Sequence, residues 1–305
     1  MGSVYRVDQN DLKTLKNKTV LITGGASGIG LATANVVAAA SESNNIVVLD
    51  RSPRAPRMSI SSDRFLYHQC DITNWKQQRA GFEAAAKKFG RIDAVYVNAG
   101  IAEFGDQFFD DKLDSEGKLA EPDRRCLTID MDAACDSVKL AIHYLRKNKE
   151  GGSIVMTASL AGYLASAGAP HYSAAKHGIV GLMRALKQEV AKSNIAISVV
   201  APGITVTPIL LQNRSGISPS EWGDEMEKVG VPINRADTIA LVVADLMRQG
   251  KEANGKGVLV QSDRAIDLER GIAKTRETWM SKEMLDLFRS GRDAPLFSRQ
   301  PTSKI

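Results

Sequence analysis

Three residues in this 305-residue sequence have types and spacing that suit proton transfer. Tyr172 and Lys176 stand four residues apart in a stretch of helical pattern, so both side chains project from one helix face. A phenol has an ordinary pKa of about 10, and a neighbouring ammonium lowers that pKa by favouring the phenolate. Ser159, thirteen residues before the tyrosine, is placed to hold the oxygen of an alcohol or a ketone. Together the three residues predict a site that interconverts an alcohol and a ketone. The alternative is a solvated lysine beside a packed tyrosine with no catalytic role, and the rest of the chain decides between the two interpretations.

A glycine-rich loop near the start of the sequence predicts a dinucleotide-binding site. It follows the apolar run TVLIT at 19–23 and opens a segment of helical pattern, the context that a dinucleotide fingerprint requires. Glycines there permit a tight turn and let the backbone approach a pyrophosphate at the positive end of the helix. The predicted contacts in this loop are Thr23, Gly24, Ser27, Gly28, Ile29 and Gly30.

The end of the second predicted strand bears on which dinucleotide binds. Asp50 lies about 20 residues beyond the glycines, where a carboxylate can hold the adenosine ribose hydroxyls. A carboxylate there would repel a 2′-phosphate, so the sequence favours NAD. Arg51, a further predicted cofactor contact, and Arg54 could each pair with such a phosphate, which keeps NADP as the alternative.

The elements that must position these residues alternate along the chain. Short apolar runs suit buried parallel strands, and segments of helical period lie between them. The alternation predicts a single-domain α/β Rossmann fold, a doubly wound parallel sheet of about seven strands with helices on both faces. The predicted strands lie at 19–23, 46–50, 65–69, 92–97, 153–158, 195–200 and 257–261, and the predicted helices at 30–40, 75–89, 128–147, 172–192 and 235–248.

Three segments interrupt the alternation. Residues 103–125 are acidic and predict an insertion or a long loop, while 208–232 place glycine and proline between apolar residues and predict a mobile lid. The tail after 263 has helical pattern. We therefore divide the chain into an N-terminal extension (1–17), a dinucleotide-binding and catalytic domain (18–263) and a C-terminal helical extension (264–305).

Composition and charge narrow the class of protein. The net charge of +5 is mild, with acidic and basic residues interleaved, which disfavours a nucleic-acid partner. The three cysteines show no paired spacing, so we expect a reducing compartment and no metal site. No apolar run is long enough for a membrane span, and we expect a cytoplasmic protein. Ser303-Lys304-Ile305, one residue from a peroxisomal address, keeps a peroxisomal location as the alternative.

Taken in order, the motifs resemble those of the short-chain dehydrogenase/reductase family over roughly residues 16–262. Each motif is weak alone, but together they are highly specific. The family pattern NNAG has Val97 in place of its first asparagine here. The matching residues are Thr23, Gly24, Gly28 and Gly30 of the pattern TGxxxGxG, then Asp71, Asn98-Ala99-Gly100, Ser159, Tyr172, Lys176 and Pro202-Gly203.

The resemblance implies a role for each residue. Tyr172 would be the general acid/base, Ser159 would orient the reacting oxygen, and Lys176 would bind the nicotinamide ribose and lower the pKa of the tyrosine. It also implies a homodimer or homotetramer, in which the helices at 128–147 and 172–192 meet a second subunit. The further implied cofactor contacts are Asp71 with its neighbours Cys70 and Ile72 at the adenine, the turn Asn98, Ala99 and Gly100, and Pro202, Gly203, Thr205 and Thr207 at the nicotinamide.

One position departs from the family pattern. Many members carry an asparagine in the fifth helix that completes a water relay to the lysine, and spacing back from Ser159 places that position at Asp132. An aspartate adds a negative charge near Lys176 and cannot donate a hydrogen bond when ionised. Either the relay is altered, with Asp132 as a fourth catalytic residue, or the assigned position is shifted along the helix.

The sequence thus predicts an NAD-dependent oxidoreductase that transfers a hydride between the cofactor and a secondary alcohol or ketone. Apolar residues in the predicted lid suggest a medium-sized apolar substrate, as in natural-product biosynthesis, although a dimer contact would look the same. Two alternatives stay open. One is a regulatory protein that holds a dinucleotide without turnover, and the other is non-redox chemistry, such as epimerisation or dehydration, on the same fold.

Overall fold

The apolar runs of the sequence form strands in the structure, a computed structural model that describes residues 3–211 and 216–290. A strand covered on both faces needs apolar side chains on both, which is why these runs are continuous rather than alternating. The strands are β1 (Ser3–Tyr5), β2 (Thr19–Thr23), β3 (Asn45–Asp50), β4 (Phe65–Gln69), β5 (Ala94–Val97), β6 (Gly152–Thr157), β7 (Ile195–Pro202), β8 (Thr205–Val206), β9 (Asn234–Arg235), β10 (Gly257–Gln261) and β11 (Arg264–Asp267).

Nine of these strands form one sheet in the order β1-β11-β10-β7-β6-β5-β2-β3-β4, and β8 pairs with β9 apart from it. The strands from β10 to β4 are parallel, which confirms the predicted Rossmann-like sheet. The remaining two extend the sheet beyond β10: β11 pairs antiparallel with β10, and β1 pairs antiparallel with β11. The segment after 263, predicted as helical, therefore begins with a strand.

The strand β11 was not predicted because the turn before it lacks the usual hairpin sequence. Ser262 and Asp263 join β10 to β11 with φ angles of 48° and 55°. A two-residue hairpin with positive φ at both positions usually carries Asn-Gly or Asp-Gly, and neither dipeptide is present here. The hairpin places β11 between β10 and β1, so the N-terminal segment also joins the sheet.

Helices cover both faces of the sheet. They are α1 (Gln9–Leu12), α2 (Gly28–Ala40), α3 (Trp75–Phe89), α4 (Arg125–Leu127), α5 (Ala133–Leu145), α6 (Pro170–Ala191), α7 (Pro219–Lys228), α8 (Ala236–Gln249), α9 (Leu268–Lys274), α10 (Arg276–Met280) and α11 (Lys282–Ser290). Helices α1, α2 and α8 pack on one face through Leu12, Val37 and Val243, and α3, α5 and α6 pack on the other face.

The strand order reverses at β2, which pairs with β3 on one side and β5 on the other. In open α/β sheets, ligands bind outside the carboxyl ends of the strands at such a reversal. The glycine loop follows β2 there, and the turn Asn98–Gly100 follows β5. The topology therefore brings together motifs that are about 75 residues apart in the chain, as the hydrogen bond from the Asn98 N–H to Thr23 Oγ1 shows.

The helix predicted at 128–147 begins with a π-helical turn at Thr128–Asp132, and α5 follows it. π-turns are rare and occur frequently at functional sites. Because a π-turn carries more residues than an α-turn, it changes which side chains face the sheet. Asp130 and Asp132 both lie in this turn.

The predicted insertion has little regular structure, whereas the predicted lid is partly helical. Residues 103–125 form turns around one antiparallel bridge between Leu113 and Leu119. The predicted lid contains a 3₁₀ turn, Pro208–Leu211, and α7, while its residues 212–215 lie outside the described part. Across residues 3–211 and 216–290, no helix is both long and apolar enough to cross a membrane. Ser303-Lys304-Ile305 also falls outside the described residues.

Candidate active site

Tyr172 and Lys176 lie one turn apart near the start of α6. That helix begins at Pro170, whose fixed φ suits the first helical position. The Lys176 ammonium lies 5.4 Å from the centroid of the Tyr172 ring, and its nitrogen donates a hydrogen bond to the Thr157 carbonyl at 3.2 Å. The lysine is buried, whereas the tyrosine is partly exposed. The phenol therefore faces accessible space with a fixed cation behind it.

Ser159 lies just beyond the carboxyl end of β6. It caps a 3₁₀ turn, since its hydroxyl accepts a hydrogen bond from the Ala161 N–H at 3.1 Å and donates one to the Pro202 carbonyl at 3.3 Å. That turn packs against α6, because a Cβ on Gly162 would lie 2.6 Å from the Lys176 carbonyl oxygen. The structure therefore brings Ser159 to α6 at the turn that carries Lys176.

The carboxylate beside the lysine is Asp130, not Asp132. Asp130 Oδ2 lies 2.9 Å from Lys176 Nζ in a fully buried ion pair, and Asp130 Oδ1 accepts a hydrogen bond from the Ile101 N–H at 2.8 Å. Asp132 is exposed at the start of α5. The position found by counting back from Ser159 was therefore wrong by two residues. Gly100 leaves room for the acid, since a Cβ there would lie 2.8 Å from Asp130 Oδ2.

The electrostatics of the pair follow from its burial. Removal from water by itself lowers the pKa of Lys176, but the Asp130 carboxylate and the Tyr172 phenol oppose this, and the pKa is raised overall. Burial, then Asp130 and Glu103, raise the pKa of the nearby Cys126 thiol to about 12. The lysine is thus a permanent cation near neutral pH, but its charge is largely balanced by Asp130.

The glycine loop fits a dinucleotide pyrophosphate. Gly24 and Gly28 have φ angles of 66° and 51°, a region that L side chains rarely adopt, and a Cβ on Gly30 would lie 2.2 Å from the Gly24 carbonyl oxygen. Exposed Ser27 precedes α2, and its side chain makes no capping hydrogen bond in the described part of the chain. The N–H groups of the first turn of α2 are therefore available to an anion. Ile29 is partly buried beside them.

Asp50 supports the same loop. Its carboxylate accepts hydrogen bonds from the Ala26 N–H and the Ser52 N–H, each at 2.9 Å. This anchors the acid at the end of β3, next to the loop, in the place where a ribose would bind. Arg51 is exposed and, with Gln69 and Asp71, lines a polar surface cavity beside it.

Asn98 joins the glycine loop to the catalytic region. Its side-chain amide donates to the carbonyls of Thr23 and Gly24, at 3.2 and 3.3 Å. Its side-chain oxygen accepts from the Thr157 hydroxyl at 3.1 Å, and the Thr157 carbonyl holds Lys176. Ala99 lies against Gly24, where a Cβ on the glycine would come within 2.8 Å of the Ala99 Cα.

The remaining predicted cofactor contacts surround this region. Asp71 is exposed, with its carboxylate accepting from the N–H and hydroxyl of Thr73, while its neighbours Cys70 and Ile72 are buried. Thr205 and Thr207 are also buried, and their hydroxyls donate to the Gly203 and Thr205 carbonyls at 3.0 and 3.3 Å. Pro202 ends β7 and Gly203 to Thr207 follow it, and the cofactor contacts assigned to these residues stay predictions.

Sequence reasoning missed Glu103, the first residue of the predicted insertion. Its buried carboxylate accepts a hydrogen bond from the Tyr172 N–H at 2.8 Å. It also lies 3.6 Å from the ring of His171. No spacing rule connects Glu103 with Tyr172, which is 69 positions away. The only signal in the sequence is an acidic residue among apolar neighbours.

The comparisons with known proteins agree with this geometry. A family model described as short chain dehydrogenase matches residues 18–217. A short-chain dehydrogenase/reductase of Penicillium rubens is 33% identical over 298 residues, covering 92% of this chain and 85% of its own. The 5′-hydroxyaverantin dehydrogenase of Dothistroma septosporum is 27% identical over 303 residues, and the match covers 93% of this chain and 96% of that protein. The crystal structure of levodione reductase matches at a TM-score of 0.64 and 26% identity, covering 81% of this chain and 97% of that one.

Proposed function

Because the chain belongs to the short-chain dehydrogenase/reductase family, an oxidoreductase family that uses a nicotinamide dinucleotide, we propose that it interconverts a secondary alcohol and a ketone with NAD. The observation that carries the proposal is the partly exposed Tyr172 phenol with the buried Lys176 ammonium 5.4 Å from its ring. A cation held there favours the phenolate and makes the tyrosine a usable base. When bound, the nicotinamide accepts or returns the hydride.

The roles of the chain's own residues follow for alcohol oxidation. The Tyr172 phenolate takes the hydroxyl proton of the substrate as the carbinol hydrogen leaves as hydride. The Ser159 hydroxyl, held between the Ala161 N–H and the Pro202 carbonyl, orients the reacting oxygen. Lys176 would hold the nicotinamide ribose, and its charge favours the phenolate. Ketone reduction runs the same proton transfer backwards.

Turnover with secondary alcohols tests this proposal. We expect the purified protein to reduce NAD in the presence of at least one member of a panel of apolar secondary alcohols, followed at the absorbance band of the reduced nicotinamide. Reduction of the matching ketones should oxidise the reduced nicotinamide, so the absorbance of that band should fall. Tight NAD binding without turnover on any alcohol or ketone would favour the regulatory alternative. Conversion of a substrate with no net change in the band would favour epimerisation or dehydration.

The preference for NAD rests on Asp50, and its removal should shift that preference. We expect Asp50→Ser to weaken NAD binding by roughly tenfold, because hydrogen bonds from the ribose to a charged acceptor are lost. We expect NADP binding to tighten, because the repulsion of a 2′-phosphate disappears while Arg51 and Arg54 remain. Both affinities are measured by titration calorimetry.

The gain for NADP is the decisive readout, because Asp50 also holds the Ala26 N–H and its loss could loosen the glycine loop. Asp63→Ser removes an exposed aspartate at the amino end of β4, away from the loop, and should change neither affinity. Equal weakening of NAD and NADP by Asp50→Ser would contradict a role for this carboxylate in selecting the cofactor.

The substrate we propose is a medium-sized apolar metabolite, of the kind made in natural-product biosynthesis. Two observations support it. The relatives from Penicillium and Dothistroma are fungal enzymes, and one is named for a hydroxylated substrate, 5′-hydroxyaverantin. The segment after β8 also carries apolar side chains, of which Trp222 is buried and Ile209, Leu210 and Met226 are partly buried.

We further propose that the protein forms a homodimer or a homotetramer. An apolar groove lies between α3, α5 and α6, and the family resemblance assigns two of these helices, α5 and α6, to a subunit contact. Several apolar side chains there are at least partly exposed, which suits burial against a second copy. They include Trp75, Ile142, Leu182 and Leu186.

A further inference from the structure

The catalytic helix α6 has no cap of its own. Its N-cap residue is Ala169, which has no polar side chain, and Pro170 at the first position has no N–H. The N–H groups in the first turn of a helix have no partner within the helix. The N–H of Tyr172 is one of these, and leaving it buried without an acceptor would be costly.

Glu103 supplies the missing cap from a distant part of the chain. Its Oε2 accepts the Tyr172 N–H at 2.8 Å, and its side chain is only 2% exposed. A carboxylate at this end of a helix also interacts favourably with the helix dipole. The hydrogen bond thus attaches the backbone of the catalytic tyrosine to the segment that follows the Asn98–Gly100 turn.

His171 completes the arrangement. Its Nδ1 lies 3.6 Å from Glu103 Oε1, and its ring lies 5.2 Å from that of Phe108 in the insertion. Neither Nδ1 nor Oε1 has a hydrogen-bond partner among the described residues. His171 therefore lies against the same carboxylate that caps α6.

The same short segment also holds the lysine. The Ile101 N–H donates to Asp130, and Asp130 forms the ion pair with Lys176. Two residues later, Glu103 holds the Tyr172 N–H. Residues 101–103 thus reach both members of the proton-transfer pair, one through Asp130 and one directly.

We propose that Glu103 is a positioning residue, which fixes the first turn of α6 so that the Tyr172 phenol is held in register with Lys176 and the substrate oxygen. This inference rests on the proposed alcohol–ketone chemistry. A displacement of about 1 Å at a reacting group can lower a rate by up to about a hundredfold. A glutamate whose only role is in folding would change the amount of folded protein without changing kcat per binding site.

The test compares variants of Glu103 in the full-length chain. Glu103→Met keeps most of the side-chain volume but has no acceptor, and we expect kcat to fall between about 10- and 100-fold with the KM for NAD unchanged. Glu103→Gln keeps an acceptor oxygen and should remain within about threefold of the wild type. Glu116→Met changes an exposed glutamate of the same insertion and should have no effect. Kinetics are normalised to NAD-binding sites counted by calorimetry.

Two further measurements keep the inference falsifiable. If Glu103→Met does not fold, Glu103→Asp draws the carboxylate back by one methylene, and the same loss of kcat is expected. Hydrogen exchange of the Tyr172 N–H, followed by mass spectrometry of peptides from the start of α6, needs no turnover, and it should be faster in Glu103→Met than in the wild type or in Glu116→Met. Wild-type kcat or unchanged exchange in Glu103→Met would overturn the positioning role. Faster exchange in a protein that turns over no alcohol would overturn the proposed function alone.

Discussion

The Tyr172→Phe variant should lose between about a hundredfold and ten-thousandfold of kcat for alcohol oxidation, the range that a general acid/base contributes. Phenylalanine preserves the ring that lies beside Lys176 and removes only the hydroxyl that carries the proton. The dissociation constant for NAD should stay within about threefold, because the glycine loop and Asp50 are untouched. Steady-state kinetics and calorimetry measure the two quantities separately.

Tyr144→Phe provides the matched control. It removes a phenol hydroxyl from α5, where the ring stacks on Phe82 away from the candidate site, and both quantities should be unchanged. Comparable losses of kcat and NAD affinity in Tyr172→Phe would identify a structural tyrosine. Full activity in that variant would remove Tyr172 from the proton transfer altogether.

The second large effect concerns Asp130, whose neutralisation should move the alkaline limb of the pH profile of kcat/KM to lower pH by at least about one unit, equivalent to about 1.4 kcal/mol. Oxidation needs the lysine cation, so activity falls as the pH passes the pKa of Lys176. Lys176 therefore sets the alkaline limb of the profile.

The direction of the shift follows from the charge that is removed. The Asp130 carboxylate raises the pKa of Lys176. In Asp130→Asn that charge is gone, so the pKa of Lys176 falls, because burial then acts without its counterion, and the alkaline limb moves to lower pH. Asparagine can still accept the Ile101 N–H, which limits structural damage.

Asp132→Asn is the control for this prediction, because it makes the same change of charge two residues away at an exposed position. Its profile should match the wild type. A shift in Asp132→Asn with none in Asp130→Asn would show that the buried ion pair does not influence the proton transfer. Equal shifts in both would indicate a general effect of net charge rather than the 2.9 Å contact.

If the protein is a regulatory protein without turnover, the Tyr172→Phe and Asp130→Asn experiments have no enzymatic rate to measure. Calorimetry with NAD would still detect a functioning glycine loop. The intact arrangement of Ser159, Tyr172 and Lys176 supports the enzymatic function over that alternative. The buried Asp130–Lys176 pair changes the expected pH range of activity and leaves the three residues in place.

Much of the fold and part of the candidate site could be predicted because their signals are local. Continuous apolar runs mark the buried strands of the parallel sheet, and the helical spacing of Tyr172 and Lys176 already places them on one face. The glycine loop is recognisable because its conformational demands fall on consecutive residues, as the positive φ angles of Gly24 and Gly28 show. These features need no knowledge of the partners across the sheet.

Only the tertiary structure decided which acids reach the catalytic pair. Successive residues of an α-helix are rotated by about 100°, so a count along the chain that is off by two residues points to a side chain on a different face, and Asp130 rather than Asp132 meets the lysine. Glu103 reaches the Tyr172 N–H across 69 residues because the chain path after β5 passes the start of α6. Such contacts depend on the course of the backbone through space, and no periodicity in the sequence records it.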